Sequence, residues 1–168
     1  MKAIIVVVCV VGALLGIYAC TPKAMPRDVS PATGDKFAVT HTDAEWRALL
    51  GPAAYQVLRE AGTERPESSP LLNEHREGTF VCDGCGQKLF ESSTKFDSGT
   101  GWPSFYQAIK GAVIERTDNS IGESRTEVLC ARCGGHLGHV FVDGPKPTGL
   151  RYCMNGIAMK FVPAEKKK

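Results

Sequence analysis

Two CxxC pairs constrain this chain more than any other feature. Cys82-Asp-Gly-Cys85 and Cys130-Ala-Arg-Cys133 are separated by 44 residues. Two residues between thiols let a tight turn aim both sulfurs at one point, and a second such turn completes a tetrahedron. Zinc is the default ion for this set, because it takes four thiolates without redox chemistry. Four protein ligands leave no open coordination position, so the expected role is structural, one zinc per chain. The ion would tie the first β segment to the middle of the domain. Three other readings compete. One pair can be a thioredoxin-like redox motif, although neither copy opens a helix after a strand. Two structural disulfides suit a protein outside the cytoplasm. A mixed site can recruit His136 and His139, which leaves two cysteines unexplained.

The remaining organisation follows from composition and punctuation. A length of 168 residues suits one domain. With 43% hydrophobic and 23% charged residues, a wholly disordered chain and a polytopic membrane protein are excluded. A net charge of +2 makes no electrostatic case for nucleic acid or anionic membrane as the main partner. Ala3 to Ala19 are unbroken apolar residues or glycine after Lys2, the pattern of a secretory signal over residues 1–20. Ile17-Tyr-Ala-Cys20 is similar to a bacterial lipoprotein cleavage box. Cys20 is therefore the expected lipidation site, and the folded part is expected outside the cytoplasm, tethered in the cell envelope. Tyr18 is atypical there; an uncleaved anchor helix and ordinary signal cleavage lead to the same compartment. Residues 21–40, with Pro22, Pro26, Pro31 and Gly34, read as a tether. The domain is expected over residues 41–163, with a basic tail over 164–168.

Within the domain, Thr42-Asp-Ala-Glu45 predicts a capping box and a short helix through Leu50, stopped by Gly51-Pro52. A second helix is expected from Ala53 to Ala61, with Gly62 as its C-cap. After Pro70, short β-branched and aromatic segments alternate with glycine turns. They are Thr79–Val81, Ala112–Ile114, Thr126–Leu129, Gly138–Val142, Gly149–Cys153 and Ala158–Val162. The fold class is mainly β: antiparallel sheet behind short N-terminal helices.

With Cys9 and Cys20 in the leader and four cysteines on metal, Cys153 is the remaining thiol of seven. Strand alternation puts Arg151 and Cys153 on one face. A guanidinium beside a sulfur favours thiolate and makes it nucleophilic. A buried core cysteine is the bland alternative, and Arg151 on the same face weighs against it. His136-Leu-Gly-His139-Val-Phe-Val-Asp143 supplies groups that titrate near neutral pH and can protonate a departing oxygen. His139, Phe141 and Asp143 would share a face, with Asp143 free to orient a histidine or to receive a hydrogen bond. Gly99-Thr-Gly-Trp102-Pro-Ser-Phe105 reads as an exposed aromatic turn able to wall a pocket. A thiolate, imidazoles and an aromatic wall suit a small soft group, not a phosphate or a sugar.

These stretches together resemble the B-type methionine-R-sulfoxide reductases. The similarity runs through Arg65-Pro66, Ser69 to Gly78, both CxxC pairs, Lys95 to Phe105, His136 to Phe141, Asp143 to Pro145 and Pro147 to Asn155. The resemblance implies two antiparallel sheets, tent-like, with short N-terminal helices and a structural zinc on Cys82, Cys85, Cys130 and Cys133. It implies Cys153 as nucleophile, Trp102 packing on the sulfoxide methyl with Phe105 beside it, and His136 and His139 protonating the oxygen. Arg151, Asn155 and Asp143 would hold the thiolate and a water. The implied substrate is the R epimer of methionine sulfoxide in oxidised proteins, and the implied product on the enzyme is a cysteine sulfenic acid. The expected enzyme is a monomer. Thr100 stands where many members carry a resolving cysteine, and Gly156 where many carry serine. Direct reduction by a thioredoxin-like or small thiol is therefore expected, unless Cys20 is unlipidated and folds back. A silent, zinc-stabilised module that recognises Met-containing peptides is the rival of another class.

Overall fold

The computed structural model describes residues 36–165. The signal segment, Cys20, the tether up to residue 35 and Lys166–Lys168 lie outside the described residues.

Helix α1 spans Asp43–Leu49. The capping box forms as expected: Glu45 N donates to Thr42 Oγ1, and the Glu45 carboxylate accepts from Thr42 N at 2.8 Å. Helix α2 spans Pro52–Glu60, with Pro52 in its first turn where its missing N–H is harmless. The left-handed residue that ends α2 is Ala61, at φ 52°, and not Gly62. Gly62 answers a different need, since a Cβ there would lie 2.8 Å from the Gln56 carbonyl oxygen. Trp46, Leu50, Tyr55, Val57 and Leu58 turn inward. Arg59 stacks over Trp46 and donates to the Cys133 carbonyl at 3.1 Å, seating the helix pair on the second CxxC turn.

Nine strands follow, all paired antiparallel. β1 (Gly78–Cys82), β2 (Lys88–Glu91) and β9 (Met159–Pro163) form one sheet in the order β2-β1-β9. The second sheet is β3-β4-β8-β7-β6-β5. Its strands are β3 (Lys95–Phe96), β4 (Ser104–Phe105), β5 (Val113–Asp118), β6 (Arg125–Cys130), β7 (His136–Phe141) and β8 (Arg151–Met154). Phe80, Phe90, Phe105, Leu89, Leu137 and Met154 are fully buried in the core. Phe90 stacks on Phe105, with centroids 4.4 Å apart, and Phe80 meets Phe105 edge-on.

The mainly β, two-sheet expectation holds. Each of the six anticipated strands is present, with shifted ends, while β2 and the two-residue strands β3 and β4 were not anticipated. Packing also reaches further back than residue 41. Val39 N donates to the Arg132 carbonyl at 3.0 Å, and the Phe37 ring fills the space beside Gly134 where a Cβ would collide at 2.4 Å. The last residues assigned to the tether are part of the folded unit.

Candidate active site and metal centre

Cys153 sits in the middle of the six-stranded sheet, partly exposed. Its register partners are Ser104 on β4 and His139 on β7, and His139 in turn faces Glu127 on β6. Directly opposed residues share a face, so Ser104, Cys153, His139 and Glu127 form one row across four strands. Arg151, two residues before Cys153, stands on the same face.

His136 and His139 lie three residues apart, which strict alternation would send to opposite faces. A bulge resolves this. The β6–β7 register slips between Val128↔Gly138 and Leu129↔His136, leaving Leu137 as the extra residue. Leu137 goes into the core and both imidazoles emerge together, with ring centroids 5.5 Å apart. Gly138 makes the bulge feasible: its φ is 156°, and a Cβ there would come within 2.2 Å of the Cys153 carbonyl oxygen.

Each histidine has its own carboxylate, and neither is Asp143. His136 Nδ1 lies 2.7 Å from Glu127 Oε1, and His139 Nε2 lies 2.8 Å from Asp118 Oδ2. An ionised carboxylate only accepts, so it fixes the proton on the facing ring nitrogen. His136 is 3% exposed, and its Nε2 has no hydrogen-bond partner among the described residues. Burial lowers the His139 pKa, and the Asp118 bond only partly offsets this. Burial pushes the Asp118 carboxyl up, but hydrogen bonds from Ser120, His139 and Arg125 win and hold it well below the usual carboxylate range. Glu127 and Asp118 were missed in the sequence because no motif spacing links them to the histidines.

Asp143 instead makes a two-pronged pair with Arg151, Nε to Oδ1 at 2.9 Å and Nη2 to Oδ2 at 2.8 Å. That bond raises the Arg151 pKa and lowers that of Asp143. Arg151 also stacks on Phe141, 4.4 Å from the ring centroid. Its planar fork is thus held from two sides while it faces the sulfur.

Trp102 follows Gly101, whose φ of 88° turns the loop. Its Nε1 donates to the Glu64 carbonyl at 3.2 Å. Glu64 N donates to Asn155 Oδ1 at 2.9 Å, and Asn155 Nδ2 donates to the Leu137 carbonyl. Asn155 is buried and works as a bracket, joining the Trp102 support to the histidine bulge. The Glu64 carboxylate accepts from the Gly156 and Ile157 amides. Burial raises its pKa against those two bonds. Glu64 had no signal in the sequence reading.

Phe105 requires correction. It is 0% exposed and pairs with Tyr152, on the sheet face opposite Cys153. It packs the core and walls no pocket. Phe96, the register partner of Ser104, is the second aromatic at the surface. Two clefts meet there. One, of about 650 Å³, is lined by Trp102, Gly99, Gly101, Glu74, Lys95 and Phe96. The other, of about 420 Å³, is lined by Phe96, Asp97, Thr100, Asp143, Pro145 and Arg151.

Away from this face the four CxxC sulfurs converge, all within 4.8 Å of one another. Cys82 and Cys133 Sγ are 3.8 Å apart, and Cys85 and Cys130 Sγ 3.5 Å. A tetrahedron with zinc–sulfur bonds of about 2.3 Å has edges of about 3.8 Å, so the set fits zinc. Disulfides do not form among the described residues, where all five cysteines are free thiols. The two turns are built alike. Gly86 N donates to Cys82 O and Gly134 N to Cys130 O; Cys82 N donates to Gln87 O and Cys130 N to Gly135 O. Gly86 and Gly134 take φ near 70°, the left-handed value each turn needs. His136 and His139 stand apart from this cluster, which sets aside the mixed site.

A two-sheet β protein with a four-thiol knuckle and a separate thiol set among two carboxylate-paired histidines defines a thiol-based redox enzyme class. The SelR domain matches residues 50–163, and the chain belongs to that family. It is 56% identical over 140 residues to the peptide methionine sulfoxide reductase MsrB of Bradyrhizobium diazoefficiens, covering 83% of this chain and 99% of that protein. It is 57% identical to MsrB of Thiobacillus denitrificans, over 74% of this chain and 95% of the relative. The MsrB of Agrobacterium fabrum is 55% identical, over 74% and 93%.

Proposed function

We propose that this protein reduces the R epimer of methionine sulfoxide in peptides and proteins, with Cys153 as the nucleophile. The observation that carries the reading is the row Ser104–Cys153–His139–Glu127, flanked by Arg151 and by His136 Nε2, which has no hydrogen-bond partner among the described residues. Arg151, held by Asp143, sets its positive charge beside the Cys153 sulfur. The thiolate attacks the electrophilic sulfoxide sulfur while an imidazolium N–H protonates the sulfoxide oxygen. The oxygen ends on Cys153 as sulfenic acid, and methionine leaves with its sulfur reduced by two electrons. Two external thiols then return Cys153 to the thiol, releasing water and one disulfide. Trp102 bounds the methyl side of the sulfur and the histidines bound the oxygen side, so one epimer fits.

Thr100 offers no second thiol beside Cys153, so the reductant is a thioredoxin-like protein or a small thiol acting directly. Zinc on the four CxxC sulfurs supplies rigidity and no chemistry at the reacting atoms. The N-terminal pattern ending at Cys20 supports a lipid-tethered enzyme that repairs oxidised envelope proteins.

The test is an epimer-resolved assay on a methionine-sulfoxide peptide with dithiothreitol as reductant. Wild type should consume the R epimer and spare the S epimer. Cys153→Ser should abolish turnover with zinc content unchanged. Turnover by that variant would overturn the assignment.

A further inference from the structure

Thr100 is not an idle replacement for a second thiol. Its Oγ1 lies 3.8 Å from Cys153 Sγ and 2.8 Å from Ser98 Oγ. Ser98 Oγ is also 2.8 Å from Ser104 Oγ, and Ser104 donates to the Trp102 carbonyl at 3.1 Å. Ser104 is fully buried, at the register position opposite Cys153.

Each hydroxyl has one proton, so these contacts determine one another. With Ser104 donating to Trp102 O, Ser98 must donate to Ser104 and Thr100 to Ser98. The Thr100 oxygen is then left to accept from the Cys153 thiol. Every bond runs away from the sulfur and ends on the carbonyl of Trp102. A thiolate cannot donate. Two oxygens 2.8 Å apart cannot face each other with lone pairs alone. Once Thr100 turns to donate to the sulfur, Ser98 must donate to Thr100 and Ser104 to Ser98, and the Trp102 carbonyl is released. Four bonds become three, and the one at the sulfur becomes charge-assisted.

We propose that Thr100, Ser98 and Ser104 form a reversible hydroxyl chain that reverses with the ionisation of Cys153, with Thr100 as the positioning residue that donates to the thiolate. The proposal rests on Cys153 being the nucleophile and adds how its anion is held. Three rotating hydroxyls accomplish the switch without backbone movement. The chain also links the sulfur to Trp102, the wall of the neighbouring cleft.

The other groups facing this sulfur are known. Arg151 lies on its own strand and His139 on β7, with Asp143, His136, Glu127 and Asp118 behind them. From the β4 side, Ser98 to Ser104 contains hydroxyls and no titratable side chain, and Asp97 precedes it with one carboxylate oxygen accepting from Gly99 N. A change confined to Thr100 therefore leaves the surrounding charges untouched.

The experiment follows iodoacetamide alkylation of Cys153 against pH in the zinc-loaded protein. Mass spectrometry of the tryptic peptide Tyr152–Lys160, which holds Cys153 alone, isolates this thiol from the others. Thr100→Val keeps the shape and removes the hydroxyl. Its curve should move to higher pH by about one unit, a roughly tenfold slower reaction at a fixed pH on the rising limb. Thr100→Ser should overlay wild type, and Ser98→Ala should move the same way by less. A Thr100→Val curve that superposes on wild type overturns the proposal, as does a Thr100→Ser curve displaced equally. If Thr100→Val loses its zinc, Ser98→Ala decides: a shift upholds the chain and none refutes it. Because alkylation needs no sulfoxide, failure here is distinct from turnover surviving Cys153→Ser, which would remove the nucleophile itself.

Discussion

Glu127→Gln separates geometry from charge at the buried histidine. Glutamine keeps an oxygen where Glu127 Oε1 now meets His136 Nδ1 at 2.7 Å, so the ring orientation and tautomer survive. What disappears is the negative charge that strengthens this buried hydrogen bond. A hydrogen bond to a charged partner contributes about 1.5–3 kcal/mol more than nothing, and one pH unit corresponds to about 1.4 kcal/mol. Glu127 keeps 14% of its side chain exposed, which favours the lower half of that range. If His136 delivers the proton, losing about 1.4 kcal/mol of this charge-assisted support should lower kcat/KM by about tenfold. The assay is initial rate on an R-sulfoxide peptide with dithiothreitol, from about pH 5 to about pH 9, with zinc content measured alongside. An undiminished kcat/KM across this range, with zinc retained, would refute the claim that the Glu127 charge supports proton delivery by His136.

Three further outcomes follow from the structure. His139 has a folded pKa below its free value, so as pH falls beneath about 6.5 the unfolded chain takes up the proton first and stability declines. Asp118 is depressed in the folded state; its contribution is complete above about pH 4 and is lost as pH falls further, so Asp118→Asn should flatten the acid limb of a denaturation-versus-pH series. Stripping the metal with a chelator should release the β1 and β6–β7 turns and abolish cooperative thermal unfolding; an unchanged melting curve would show that the four thiols do not hold the fold through zinc.

What the sequence disclosed depended on how local each signal was. The four-thiol cluster was legible because each CxxC turn is a complete unit, with its own glycine and its own backbone bonds. Cys153 and Arg151 were legible because one strand of alternating residues suffices to place them together. Phe105 was misplaced because β4 is two residues long: Ser104 faces the thiol and Phe105 the core, and no period can be read from two positions. Of the two readings of Asp143, the hydrogen-bond acceptor holds, with Arg151 as donor; it does not orient a histidine, because β7 ends at Phe141, before alternation reaches it. Glu127, Asp118 and Glu64 escaped notice because their partners lie on other strands or loops. The shared face of the two histidines needed the bulge at Leu137, and Gly138 hints at it only once its neighbours are known.

The metal turn and the reactive face are coupled through one stretch of chain. β6 carries Arg125 and Glu127 and ends at Cys130; after Cys133, Gly134 and Gly135 the chain returns as β7 with His136 at its first position. The second CxxC turn is therefore the hairpin connection between the strand of the carboxylate and the strand of the imidazoles. In a sheet, a slip of one residue sends every side chain to the other face. A slip at this hairpin would send Glu127 and His139 apart and bury neither correctly. A metal ion on the four sulfurs would fix Cys130 and Cys133 to Cys82 at the end of β1 and to Cys85 in the turn after it, and so remove that freedom; the bulge at Leu137 falls where Asn155 Nδ2 donates to the Leu137 carbonyl. The four-thiol cluster stands off the reacting face, yet a metal held there would steady the register that brings two histidines three residues apart onto one face.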